Sequence, residues 1–179
     1  MNIWFLRMDK YSLGEQCLSE SHEFIYSVHG SCGISDVAKN HKNKIFPELT
    51  LDGKELAKLI RSIKEKLIRD KQISLDESGK RRCDIAIRYW LSVMKVGDLV
   101  FVRNKQNKVI LSRVTDYISE EFFDTYGCFK RPVKIINEIT ESMVTPEIWR
   151  RTQGRKTIER NAKKHITDWM TNNSESLNK

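Results

Sequence analysis

The stretch that most constrains the fold runs from Trp90 to Val114, WLSVMKVGDLVFVRNKQNKVILSRV. Apolar residues at helical spacing lead into Val96-Gly97-Asp98, and two runs rich in β-branched residues then flank a polar turn. The pattern predicts a strand at Leu99–Val102 and a partner strand at Val109–Val114, joined by a hairpin turn at Asn104–Lys108. The sequence therefore predicts a small sheet that a helix leads into.

The first half of the chain predicts two further strands and two helices. Apolar runs at Ile3–Arg7 and Phe24–Val28 have strand composition. Asp52 and Glu55 have capping-box spacing and predict the start of a helix, whose apolar stripe continues to Leu67. The other face of this helix is basic, and we expect it to be solvated, with a phosphate-tracking face as the alternative. Its residues are Lys54, Lys58, Arg61, Lys64, Arg69 and Lys71. Ser78 is the predicted cap of a second helix, from about residue 79 to residue 95. The part of the chain before the hairpin is therefore predicted to contain both strands and helices.

The second half predicts one more strand and a helical turn. Cys128–Ile136 has strand composition, and Pro132 within it indicates an edge position or a bulge. Pro146–Arg151 is a predicted helical turn. We expect a single domain over residues 1–165 and a frayed polar tail over residues 166–179. The predicted fold class is α+β.

The charge balance favours a polyanionic partner. The 179 residues carry 32 Lys and Arg against 24 Asp and Glu, a net charge of +8 and a pI of about 9.3. Between Arg150 and Lys164, seven residues are basic and one is acidic, so this segment holds most of the excess. Positive charge binds polyanions through counterion release at phosphates. A basic surface without a specific partner is the alternative.

No segment predicts a membrane span or an exported protein. The longest apolar runs fall far short of the roughly 18 residues that a span requires. The start of the chain, MNIWFLRMDKY, has no basic residues before its short apolar run and predicts a first strand. We therefore expect a cytoplasmic protein with no membrane partner.

The motifs of common enzyme and metal sites do not occur in the sequence. It contains no GxxxxGK[ST], GxGxxG or GxSxG segment, and its four histidines are scattered. The four cysteines show no metal-ligand spacing, and we expect them to be reduced structural thiols. The prediction is a protein without catalytic activity, bound metal or cofactor.

Recognition of a ligand is the remaining interpretation. Aromatic residues beside glycine-bearing loops can stack on a base, and arginines can hold its edge or its phosphates. Four strand-end segments are candidates to converge: Arg7, residues 29–33, Asp116-Tyr117 and residues 155–157. For Tyr117, packing within the protein is as good an interpretation as contact with a ligand. For Arg155 and Lys156, a solvated run of charges is as good an interpretation as contact with phosphates.

The order of several motifs resembles the PUA-like superfamily, with EVE-type modules and the N-terminal domains of Mrr-like restriction proteins as the nearest relatives. The resemblance covers about residues 3–160. It is carried by Trp4-Phe5-Leu6-Arg7, Phe24 before a glycine-bearing segment, Val96-Gly97-Asp98-Leu99-Val100, Arg113-Val114-Thr115-Asp116-Tyr117, Arg131-Pro132-Val133-Lys134 and Gly154-Arg155-Lys156-Thr157-Ile158.

The resemblance implies a small β pseudo-barrel with packed helices and a pocket that reads a flipped, often modified, base. The residues that it implies for the base pocket are Arg7, Ser31, Cys32, Ile34, Asp116, Tyr117 and Thr157. The candidates for phosphate contacts are Arg131, Arg150, Arg151, Arg155, Lys156 and Arg160. Mrr-type domains usually have a tryptophan after the glycine at the position of Gly33, where this chain has Ile34, and this puts one wall of an aromatic cage in doubt.

The resulting expectation is a non-catalytic nucleic-acid-binding module in a restriction-modification, phage-defence or mobile-element setting. DNA is the expected ligand ahead of RNA, and any cleavage would need a separate effector protein. The alternative is a protein-interaction or small-ligand module on the same barrel. The basic segment favours nucleic acid, whereas Ile34 favours the alternative.

Overall fold

The structure is a computed structural model that describes residues 1–6, 24–26, 52–103, 108–117, 130–139, 144–152, 158–160 and 164–172. These residues form β1 (Ile3–Leu6), β2 (Phe24–Tyr26), α1 (Gly53–Arg69), α2 (Glu77–Ile87), a π-helical turn (Arg88–Val93), β3 (Leu99–Arg103), β4 (Val109–Val114), β5 (Lys130–Ile139), α3 (Pro146–Thr152), β6 (Ile158–Arg160) and α4 (Lys164–Asn172). The predicted α+β class is confirmed. None of these helices is long and apolar enough to cross a membrane.

The strands form one mixed sheet in the order β2-β5-β4-β3-β1-β6. Strand β1 pairs in parallel with β3, whereas the pairs β3–β4, β4–β5 and β1–β6 are antiparallel. Among the described residues the order is linear, with β2 and β6 at its two ends, so it does not close into a barrel. The predicted strand pair is confirmed, because Leu99 pairs with Arg113 and Arg103 with Val109. Residues 104–107 of the predicted turn lie outside the described residues.

The chain divides into two compact units. The first comprises Met1–Ile25, Lys95–Asp116 and Pro132–Lys179, and the second comprises Tyr26–Met94 and Tyr117–Arg131. The sequence had indicated a single domain over residues 1–165. Helix α4 also occupies much of the segment for which a frayed tail was expected, and its Ile166 is buried.

Alternating strand residues build the core of the first unit. Phe5 and Phe101 stack with their ring centroids 5.4 Å apart, and Phe101 also contacts Trp169 of α4. Side chains two positions apart share one face of a sheet, so these residues of β1 and β3 meet the apolar residues of α3 and α4. The remaining members of this cluster are Ile3, Leu99, Val109, Leu111, Ile139, Val144, Ile148 and Ile166.

Helix α1 begins as its sequence predicts. The carboxylate of Asp52 accepts hydrogen bonds from the backbone N–H groups of Lys54 and Glu55, at 2.7 and 3.0 Å. These two bonds lower the pKa of Asp52, since they favour its charged form. A Cβ at Gly53 would lie 2.1 Å from the carbonyl oxygen of Leu91, so only glycine permits this approach of α1 to the π-helical turn.

Helix α2 departs from its prediction at both ends. It is capped by Asp76 rather than Ser78, because the Asp76 carboxylate accepts from the N–H of Gly79 at 2.6 Å. Its α-helical part ends at Ile87, and the chain then widens into the π-helical turn, in which Met94 N–H donates to the carbonyl of Tyr89. Pattern rules that assume 3.6 residues per turn cannot predict such a widening.

Strand β5 carries the irregularity that Pro132 had indicated, but at another position. Leu111 pairs with Asn137 and the following Ser112 pairs with Ile135, so one residue of β5 is extra there. The carbonyl of Pro132 itself accepts a regular hydrogen bond from the N–H of Thr115, at 3.0 Å.

Candidate nucleic-acid interface

The Gly97-Asp98 step is a structural junction in the first unit. Gly97 has a φ of 87°, which side chains disfavour, and it turns the chain into β3. The Asp98 side chain is buried, and its Oδ2 accepts hydrogen bonds from Trp4 Nε1 at 2.9 Å and from the backbone N–H of Lys95 at 3.0 Å. Its Oδ1 accepts from the backbone N–H of Asn2 at 2.7 Å. Asp98 therefore ties the start of β1 to the start of β3.

The hydrogen bonds also decide the charge of this carboxyl group. Burial alone raises the pKa of Asp98, but the donors from Asn2, Trp4 and Lys95 outweigh it, and the pKa lies below its ordinary value of 3.8. Asp98 is therefore a carboxylate at neutral pH. Every described contact of this group is internal, which assigns the motif to the scaffold, as the sequence indicated.

The predicted base pocket is described only in part. Asp116 is exposed, and Tyr117, just beyond β4, is 58% exposed, one of three large hydrophobic side chains that are exposed in the described part of the chain. Arg7, Ser31, Cys32, Ile34 and Thr157 lie outside the described residues. The structure therefore places the aromatic candidate at the surface. The end of β4, which precedes Asp116, lies beside the start of β3, whereas the end of β1, which precedes Arg7, lies beside the end of β3. The convergence of these residues stays a prediction.

The phosphate-contact candidates divide into exposed and buried arginines. Arg150 and Arg160 are exposed, and Arg150 forms an ion pair with Glu147 at 3.0 Å. Arg151 is buried, donates to the same carboxylate at 2.8 Å and lies over the ring of Phe5. Arg155 and Lys156 lie outside the described residues. Among the phosphate-contact candidates that the structure describes, Arg150 and Arg160 are the ones exposed to a large ligand.

Arg131 is an internal residue of the second unit. Its Nε and Nη2 both donate to the carbonyl oxygen of Trp90, at 3.2 and 2.7 Å, and the residue is 1% exposed. Trp90 belongs to the π-helical turn, in which the carbonyl groups depart from regular α-helical pairing. Arg131 thus satisfies a backbone acceptor, and its guanidinium does not lie at the surface where phosphates would be met.

A further buried arginine, Arg103, was not singled out by the sequence. Arg103, the last residue of β3, stacks over the ring of Trp149 at 3.5 Å. Its Nε donates to Thr152 Oγ1 and its Nη2 to the carbonyl of Trp149, at 3.0 and 3.1 Å. It anchors α3 to the sheet. Its position at the end of an apolar strand was a signal that its side chain would share the burial of that strand.

A groove of about 840 Å³ lies between α1 and α2 in the second unit. Five basic and three acidic side chains line it, together with Ile68 and Ile85. Both lysines are paired: Lys64 with Asp84 at 2.5 Å and Lys80 with Glu77 at 2.6 Å. The Lys64 side chain is only 3% exposed, although the sequence had assigned it to a solvated face.

The three arginines of the groove differ from its lysines. Arg61, Arg81 and Arg88 form no ion pair with any described residue, and Arg88 lies beside the ring of Tyr89 at 5.2 Å. The Nε of Arg61 is buried and has no hydrogen-bond partner among the described residues. Glu65 is the acidic residue that remains outside the two ion pairs. The groove therefore presents more positive charge than the helices neutralise.

The helical spacing of these residues was the signal that could have found the groove. Arg61, Glu65 and Ile68 follow one another at four and three positions, and so do Arg81, Ile85 and Arg88. Such residues share one face of a helix. The sequence assigned the basic residues of α1 to a solvated face or a phosphate-tracking face, and Arg81 and Arg88 were not considered.

Among the described residues, no three His, Cys, Asp or Glu side chains come together as metal ligands. Comparison of the chain with protein-family models, curated proteins and solved structures found no match. The resemblance to the PUA-like superfamily therefore rests on the sequence motifs alone.

Proposed function

We propose that this protein is a non-catalytic nucleic-acid-binding module of PUA-like type that stacks a base, including a modified one, against Tyr117. The observation that carries the proposal is the exposure of this tyrosine just beyond β4 in a chain of net charge +8. An accessible aromatic ring can stack on a base, and the excess positive charge of the chain attracts the phosphates that flank that base. Base stacking has no requirement for a particular sequence, since every base has a π-face.

The finer points of the proposal come from the resemblance. A PUA-like domain would close its strands into a pseudo-barrel and present a flipped base to a pocket. DNA is the proposed ligand ahead of RNA, in a cytoplasmic restriction or phage-defence setting, with cleavage supplied by a separate effector. The Asp98 junction and the pairing of β3 with β4 support a rigid scaffold for the end of β4, from which the chain continues to Asp116 and Tyr117.

Fluorescence anisotropy with plain and modified oligonucleotides tests the proposal. Tyr117→Ala is expected to weaken binding by about fivefold to 150-fold, because stacking contributes roughly 1–3 kcal/mol per base. Tyr117→Phe keeps the ring and should bind like the wild type. Val96→Ala, which truncates another exposed hydrophobic residue, is the matched control and should leave affinity unchanged.

Two results would contradict the proposal in different ways. A wild-type chain that binds neither DNA nor RNA at low salt would leave the protein-interaction or small-ligand alternative. Binding that is unaffected by Tyr117→Ala would remove the base-stacking role from this residue while leaving nucleic acid as the ligand.

A further inference from the structure

We propose that the groove between α1 and α2 holds the phosphodiester backbone of the nucleic acid, with Arg61, Arg81 and Arg88 as its contacts. The inference rests on the proposed function and names the groove that would bind the phosphates, of which the sequence indicated only the basic face of α1. None of the base-pocket or phosphate-contact candidates from the sequence lines this groove.

Two of the three carboxylates in the groove pair with lysines, so the arginines of the groove are available to a ligand. Lys64 and Lys80 engage Asp84 and Glu77, so two of the three carboxylates are already neutralised. Three guanidinium groups then face one remaining carboxylate, that of Glu65. Because the excess charge resides on arginines, it suits phosphate oxygens, which the planar guanidinium binds through two parallel hydrogen bonds.

Arg61 supplies an independent observation. Its Nε is buried, yet no described residue accepts its hydrogen. A buried donor without an acceptor is unfavourable by roughly 1–3 kcal/mol, so such a group marks a position that an acceptor would stabilise. A phosphate oxygen is an acceptor of the right charge, and its binding requires the Arg61 side chain to turn its Nε towards the groove.

The spacing of the arginines suits an extended ligand rather than one small anion. Arg81 lies on α2 and Arg88 begins the π-helical turn that continues it. The seven residues between these positions separate them by about 10 Å along the helix axis. Successive phosphates along one strand are several ångströms apart, so an extended backbone can meet both arginines at once. Contacts of the arginines with phosphates carry no sequence information, so we expect binding without sequence preference.

The test measures the affinity of the full chain for a short labelled duplex DNA over a range of salt concentrations. The variant Arg61→Gln/Arg81→Gln/Arg88→Gln loses three contacts, and the slope of log K against log salt should be smaller by about 3. Between about 50 and 200 mM salt, the wild-type affinity should therefore fall about 40-fold further than that of the variant. Duplex RNA has the same phosphodiester groups, so the triple variant should reduce the salt slope for RNA as it does for DNA.

The control Lys54→Gln/Lys66→Gln/Arg69→Gln removes the same charge from exposed positions of α1 outside the groove. Its salt slope should stay close to that of the wild type. An equal fall in both triple variants would overturn the groove assignment in favour of net charge. Poly-glutamate that binds the groove as tightly as DNA would overturn the phosphodiester assignment.

Nuclear magnetic resonance on the wild-type chain gives a second readout that does not depend on the folding of the triple variant. The Nε–H signal that disappears in Arg61→Lys should shift when duplex DNA is added. An unchanged signal under saturating DNA overturns the groove contact but leaves the proposed function standing. A wild-type chain that binds no nucleic acid overturns the proposed function and this inference together.

Discussion

The carboxylate of Asp98 and the arginines of the α1–α2 groove differ in whether the chain itself supplies partners for the charge. Asp98 is 2% exposed and accepts hydrogen bonds from Asn2, Trp4 and Lys95 of its own chain. The groove arginines have no ion pair with any described residue, and the Nε of Arg61 is buried without an acceptor.

The difference separates charges that stabilise the fold from charges that are available to a ligand. A buried charge persists only when the chain supplies its partners, so its removal affects stability first. A charge without a chain partner contributes little to the fold, so its removal should affect binding first. Asp98 and Lys64 are charges that the chain pairs internally, and Arg131 is an internal charge that the sequence had assigned to a ligand. Substitutions at these residues test the division.

The largest effect is expected at Asp98. Asp98→Ala leaves the buried Trp4 Nε1–H and the backbone N–H groups of Asn2 and Lys95 without an acceptor. The free energy of unfolding should fall by about 3 kcal/mol, measured by urea denaturation. Affinity for DNA, corrected for the folded fraction, should not change.

The pH dependence of stability provides the matching control. The folded pKa of Asp98 is below its unfolded value, so its contribution is present above about pH 4 and is lost as the pH falls through the folded pKa. Asp98→Asn should therefore differ most from the wild type at neutral pH, with the gap narrowing below about pH 4. A gap that stays constant would show that the charge itself contributes nothing.

A smaller effect is expected at Arg131, for which the sequence indicated a phosphate contact. Arg131→Gln removes the donors to the Trp90 carbonyl and should lower the free energy of unfolding by about 2 kcal/mol, with DNA affinity unchanged. The control is Arg150→Gln, an exposed arginine with one surface ion pair, which should leave stability nearly unchanged. Weaker DNA binding by Arg131→Gln with unchanged stability would restore the interpretation made from the sequence.

The sequence predicted the local elements better than the fate of individual charges. The β-branched residues of Leu99–Val102 and Val109–Val114 predict strands, and the capping residue Asp52 predicts the start of α1. These signals depend on neighbours along the chain, which the sequence contains. The π-helical turn is different, because it depends on tertiary contacts such as that of Gly53 with Leu91.

The charges were harder to predict because burial depends on partners that are distant in sequence. Arg131 meets the carbonyl of Trp90, 41 residues earlier, and Arg103 meets Thr152, 49 residues later. Composition counts Arg131, Arg103 and Arg150 as equal positive charges and cannot tell the two buried arginines from the exposed one. The sign of the groove that the sequence did contain was a spacing of three and four residues, which puts Arg61 with Glu65, and Arg81 with Arg88, on one face of a helix.

The smallest effect separates two lysines of α1 that the sequence placed on the same solvated face. Lys64 is buried and pairs with Asp84, whose side chain is 43% exposed, whereas Lys58 pairs with Glu55 at the surface. Lys64→Met should lower the free energy of unfolding by about 1 kcal/mol, less than a fully buried pair would lose, because water can reach the remaining carboxylate. Lys58→Met should leave the urea midpoint unchanged, since an exposed pair is hydrated with or without its partner. Equal shifts in the two variants would show that the burial of Lys64 carries no energetic consequence, and would weaken the division between the charges of the fold and those available to a ligand.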